Sequence, residues 1–107
     1  KKHTGISYTI IKGWESNWTD PESKICKFVL KAAKNFRDIE PDMVVRLPAS
    51  DVSRWRKIGI PGICYGPQPL LASGVDDYVI EQDLVDCAKV YALASLNFLN
   101  SYESQNN

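Results

Sequence analysis

Residues Gly59 to Val79, "GIPGICYGPQPLLASGVDDYV", hold four of the chain's six glycines and three of its six prolines. No helix runs through such a stretch, because proline removes a backbone donor and glycine costs backbone entropy. The folded chain must therefore be assembled around a long irregular segment, with regular elements before and after it. What precedes it decides the architecture.

Residues 6–12, "ISYTIIK", alternate Ile6, Tyr8 and Ile10 against Ser7, Thr9 and Ile11, which predicts a strand. Gly13–Trp18 is a connector. At "TDPES" helix-start signals converge, with Thr19 or Asp20 as N-cap, Pro21 at the first helical position and Glu22 in the first turn. Ile25, Phe28, Val29, Ala32, Ala33 and Phe36 then recur at helical spacing, with lysines on the other side. Pro41 ends that segment, and "DMVVRLP" predicts a short strand closed by Pro48.

In the second half, "ASDVSRWRK" predicts a short helix capped by Ser50 or Asp51, and "IGIPGICYG" a short buried strand. A loop covers 66–78. A long helix follows over about 81–102, one face traced by Leu84, Val85, Ala88, Tyr91, Ala92, Ser95, Phe98, Leu99 and Tyr102. The expected fold class is α/β in two units. Residues 1–48 form a strand–helix–strand lobe and residues 49–107 a helix–strand–loop–helix lobe. Such a chain leaves sheet edges open, so it is expected to self-associate or to be completed by another segment.

Composition narrows the function classes. A chain of 107 residues supports one core, and thirteen basic residues balance thirteen acidic ones. That balance gives no footprint for nucleic acid or for an anionic membrane. No run reaches the roughly 18 apolar residues that span a bilayer, and the N-terminus lacks a signal-peptide core, so a cytoplasmic location is the expectation. Cys26, Cys64 and Cys87 have no C-x-x-C spacing and are read as small buried apolar residues. Asn17-Trp18-Thr19 fits the glycosylation pattern and is taken as chance. His3 is read as a solvated terminal residue, and Ser50, Ser53 and Ser73 have no histidine near them in sequence.

Several short motifs lie in order along the second half: Ser50-Asp51, Gly59-Ile60-Pro61, Tyr65-Gly66-Pro67 and Asp76-Asp77-Tyr78-Val79. Together they resemble the C-terminal end of the dimetal aminoacylase and carboxypeptidase family. Its members include acetylornithine deacetylase, succinyl-diaminopimelate desuccinylase, aminoacylase and glutamate carboxypeptidase. The resemblance covers the last half of the chain well. Residues 1–48 fit more loosely, as the close of a lid (dimerisation) domain.

The resemblance implies a zinc- or cobalt-dependent hydrolysis of an N-acyl amino acid or small peptide. A metal-bound water would attack the amide with a glutamate as base, and an arginine would hold the substrate carboxylate. It assigns Arg54, Gly62 and Gly66 to substrate binding, and makes Ser50, Asp51, Gly59, Pro61, Pro67, Ser73 and Asp77 the motif positions. The chain departs from the pattern in two places. The family's metal-binding histidine falls at Ser73, and the arginine expected two residues after Asp51 is displaced to Arg54, about 100° around a helix.

The remaining ligands and the base belong to a half of the family's catalytic domain that this sequence does not contain, so no catalytic residue and no metal ligand are assigned. By itself the chain is expected to be inactive and to bind no metal. The expected partners are a second copy or the missing N-terminal half. Other accounts stand beside these: Asp51 as a helix cap, Arg54 and Arg56 as a solvated basic turn, Trp55 as a packing residue, Gly62 and Gly66 as positions needing positive φ. The alternative function is a non-catalytic assembly or binding module derived from the same family.

Overall fold

The computed structural model describes residues 5–37, 41–46 and 49–103. Three helices organise them: α1 (Lys24–Ala33), α2 (Val52–Lys57) and α3 (Glu81–Glu103). His3, Leu47 and Pro48 lie outside the described residues.

α1 forms where its periodicity places it, but starts later than the capping signals suggest. Asp20 Oδ1 accepts the Glu22 N–H at 2.9 Å and the Asp20 carbonyl accepts the Ser23 N–H at 2.9 Å. That Asx turn uses Pro21 and Glu22 as turn residues and leaves Ser23 as N-cap. Val29, Ala32 and Ala33 of α1 pack against Val90 and Ala94 of α3, and Cys26 of α1 and Cys87 of α3 are buried as well. The alanines bring the two backbones close, and Phe28 closes one end edge-on to Phe98 at 6.0 Å.

The long helix is present but turned. The side that packs on α1 carries Cys87, Val90 and Ala94, whereas Leu84, Val85, Tyr91, Leu96, Leu99 and Tyr102 are exposed. Apolar residues occur on two sides of α3, so periodicity identifies the helix without deciding which side meets α1.

The expected strand–helix–strand architecture is overturned. Among the described residues there is no sheet; the only β pairing is an isolated antiparallel bridge between Leu70 and Tyr78. Residues 6–12 and 42–46 have the composition of strands but no neighbouring strand, and "IGIPGICYG" runs as irregular chain. A strand's hydrogen bonds all lie with another segment, so β-favouring side chains alone cannot fix one. Ile6, Tyr8, Ile10, Ile11, Val44 and Val45 are accordingly exposed.

The result is an open shape of 63 × 43 × 19 Å with a radius of gyration of 18.5 Å. A compact chain of this length would have about 13 Å. No helix of the described residues is long and apolar enough to cross a membrane. Cys26 and Cys87 are buried as free thiols, but Cys64 is exposed, because its segment runs along the surface.

Candidate functional site

The motif residues of the second half gather around a strap from the first half. Thr19 Oγ1 donates to the Gly62 carbonyl and accepts the Gly62 N–H at 3.0 Å, so one hydroxyl satisfies both backbone groups of that residue. Asn17 Nδ2 donates to the Ser53 carbonyl at 3.0 Å, and Arg56 Nη1 donates to the Asn17 carbonyl at 3.4 Å. Residues 17–19 thereby bind α2 to the Gly-Ile-Pro-Gly segment. Between them lies a shallow cleft of about 180 Å³ lined by Trp18, Asp20, Ser23, Arg56, Gly59 and Pro61.

Gly59 follows α2 with φ +84°, a conformation that favours glycine, and its N–H bonds the Arg56 carbonyl at 3.0 Å. Gly62 is fixed by space instead. A Cβ there would come within 2.5 Å of Val52 Cγ2. Gly66 has ordinary room, its nearest neighbour being the Tyr91 hydroxyl at 3.9 Å. Neither Gly62 nor Gly66 has positive φ, so the freedom expected of them is needed at Gly59.

Asp51 stands at the cap position of α2 in αR conformation and makes no side-chain cap hydrogen bond. Its carboxylate is exposed and sits 3.5 Å from Arg54, an ion pair of one helical turn in open solvent. Arg54 is thus turned away from the cleft, and Arg56 is the arginine on it. Ser50 is half-buried and its carbonyl accepts the Ser53 N–H at 3.0 Å, opening the helix. Trp55, expected to pack, is exposed. Pro61 lies on the cleft and Pro67 is half-buried near the end of the segment.

Ser73 sits in a closed loop. Leu70 and Tyr78 exchange backbone hydrogen bonds at 2.8 and 3.2 Å, and within the loop Leu71 and Ser73 have φ of +59° and +67°. Two non-glycine residues in left-handed conformation so close together carry local strain. Asp77 Oδ2 accepts the Ser73 N–H at 3.3 Å and the Leu71 carbonyl accepts the Gly74 N–H at 2.8 Å, which holds the loop shut.

Behind this segment a polar cluster locks it to the helices. Arg37 Nη1 donates to Asp83 Oδ1 at 2.6 Å and Nη2 lies 3.9 Å from Cys87 Sγ. A hydrogen bond to Tyr65, ahead of the charge of Asp83, holds the Arg37 guanidinium above its ordinary pKa despite the opposing effect of burial. The Tyr91 hydroxyl donates to the Tyr65 carbonyl, and burial raises the Tyr91 phenol above its usual value.

Among the described residues no three or more histidine, cysteine or carboxylate side chains converge as a metal site needs. Ser73 and Asp77 contact one another through a backbone N–H, and Asp76 is exposed beside them.

Sequence reasoning missed Asn17 and Thr19, which had looked like a chance glycosylation pattern and a helix cap. It also missed Arg37, which lies just past the apolar face of α1. Their partners lie 36 to 50 residues away, so no local signal in the sequence marked them. No family model matches the chain, and neither a curated protein nor a solved structure matches it.

Proposed function

We propose that this chain is the C-terminal portion of an amidohydrolase of the aminoacylase and carboxypeptidase type, contributing pocket-wall backbone and lid elements and performing no hydrolysis by itself. The observation that carries the reading is the loop at 70–78. Left-handed strain is concentrated at Leu71 and Ser73, where the resemblance expects a metal-binding loop, and such strain clusters at functional sites. The Gly62 backbone, held by Thr19 and backed by Val52, supports it as a fixed wall. The substrates would be N-acyl amino acids or small peptides, and the cytoplasm the compartment.

The test is reconstitution. The chain carrying Ser73→His is co-expressed with the N-terminal portion of a dimetal family member, and zinc binding and N-acetyl amino acid hydrolysis are measured. Zinc binding by calorimetry together with zinc-dependent hydrolysis is the expected result. A reconstituted complex that takes up no zinc sinks the proposal.

A second reading, a non-catalytic assembly module, is favoured by Ser73 itself, whose hydroxyl is a poor substitute for imidazole as a zinc ligand. Under that reading the complex with native Ser73 forms equally well and the histidine confers no activity.

A further inference from the structure

A second cavity, of about 370 Å³, lies between the strap of residues 13–17 and α2, lined by Trp14, Glu15, Ser16, Asn17, Ser53 and Lys57. It shares no residue with the cleft at Arg56 and Gly59. Its volume falls in the range that small-molecule sites occupy. Two hydrogen bonds hold its walls together. Asn17 Nδ2 donates to the Ser53 carbonyl at 3.0 Å, and Arg56 Nη1 donates to the Asn17 carbonyl at 3.4 Å.

Charge identifies the first group of the ligand. The Lys57 and Lys12 ammoniums stand 4.6 and 4.9 Å from the Trp14 ring. One indole therefore holds two like charges within a Debye length of one another, about 10 Å at 0.1 M salt. Neither lysine forms an ion pair among the described residues, although Glu15 lies on the same cavity. Two ammoniums so placed repel one another, and an anion shared between them reverses the sign of that interaction. A phosphomonoester carries about 1.5 to 2 negative charges at pH 7, close to one for each ammonium, where a carboxylate carries one. Lysine meets phosphate as a point charge, without the planar fork that suits a carboxylate.

The rest of the lining identifies what carries the phosphate. Asn17 Oδ1 is shielded from water and accepts no hydrogen bond, an acceptor that lacks its donor. The Glu15 carboxylate is a second acceptor, and it disfavours any further negative charge on the ligand. Both call for hydroxyl donors on an uncharged body. Ser16 and Ser53 add hydroxyls that can donate or accept. The Trp14 indole, 54% exposed, gives an apolar wall for the carbon face of that body.

We propose that this cavity binds a small soluble phosphorylated polyol, such as a hexose phosphate. The phosphate lies between Lys12 and Lys57, and the hydroxyls bond Glu15 and Asn17. The site is separate from the one that carries the proposed function, and it stands whether or not that reading survives.

The experiment is calorimetric titration of the full chain with glucose 6-phosphate, inorganic phosphate, glucose and gluconate. Glucose 6-phosphate is expected to bind one to one. Lys57→Gln and Lys12→Gln should each weaken it about tenfold or more, the loss of one charge-assisted contact. Lys31→Gln, on the exposed side of α1, should leave it unchanged. Inorganic phosphate should bind more weakly, and Glu15→Gln should narrow the gap between the two. All four side chains are exposed, so circular dichroism of the variants should match the parent.

Amide and indole N–H spectra locate the ligand. Glucose 6-phosphate should shift the Trp14 indole and the Ser16 and Ser53 amides, and leave Gly59 in place. The absence of saturable binding up to about 10 mM overturns the proposal. So does binding that neither lysine variant weakens, gluconate or glucose binding as tightly as glucose 6-phosphate, or shifts centred on the Arg56 cleft. Vesicles containing phosphatidylinositol 4-phosphate test a lipid source, and sedimentation with them without glucose 6-phosphate binding overturns the soluble ligand.

Discussion

Arg37 Nη1 lies 2.6 Å from Asp83 Oδ1, joining the turn after α1 to the first turn of α3 across 46 residues of sequence. Both side chains are three-quarters or more shielded from water, so removing either takes from its partner an ion pair that water does not readily replace. Arg37→Ala and Asp83→Asn should each cost about 1–3 kcal/mol in urea unfolding. The double variant should cost less than the sum of the two. Additive losses would show that the pair is not coupled.

Three glycines of the same segment should respond differently to alanine. Gly62→Ala drives a methyl into Val52 and should cost about 1–3 kcal/mol. Gly59→Ala has open space but a φ of +84° and should cost about 1–2 kcal/mol. Gly66→Ala meets neither obstacle and should stay within about 0.5 kcal/mol of the parent. Melting temperatures of the three variants give the order directly.

Thr19→Val keeps the shape of the side chain and loses both hydrogen bonds to Gly62. The Gly62 N–H and carbonyl are then left without their partner, at a cost of about 2 kcal/mol. Thr19→Ser should recover most of that. Hydrogen exchange at the Gly62 amide is the sharper measurement, and it should accelerate in the valine variant alone.

Tyr91 should give the fold an alkaline limit. Its phenol is raised above the ordinary value of 10.0, first by burial. Its neutral form therefore stabilises the folded chain fully below that value, and the contribution is lost as pH rises through the higher folded-state pKa. Tyr91→Phe removes the hydroxyl bonded to the Tyr65 carbonyl and should cost about 1 kcal/mol at neutral pH. It should also flatten the decline above pH 10, read as the urea midpoint against pH.

The site was legible in the sequence only where its residues act locally. Gly59 stands directly after a predicted helix, and a residue past a helix end that closes it with positive φ is one turn's chemistry. Gly62 looked equivalent, but its constraint is a methyl group of Val52, ten residues back on another element. Asp51, read as a helix cap, and Arg54, assigned to substrate by the resemblance, pair with one another in solvent, whereas Arg56 reaches the strap through Asn17. Ser73 was marked as a departure from a family pattern, and the strain that distinguishes its loop is visible only in the backbone angles.

The sequence by itself determined the helices, because an α-helix makes its hydrogen bonds within four residues and its signals are written in the same few turns. The tertiary structure decided which side of α3 meets α1, since apolar residues lie on both sides and the alanines of α1 and α3 allow the closer fit. It also decided that residues 6–12 and 42–46 form no sheet. Their β-branched composition is local, but a strand's hydrogen bonds belong to a second segment.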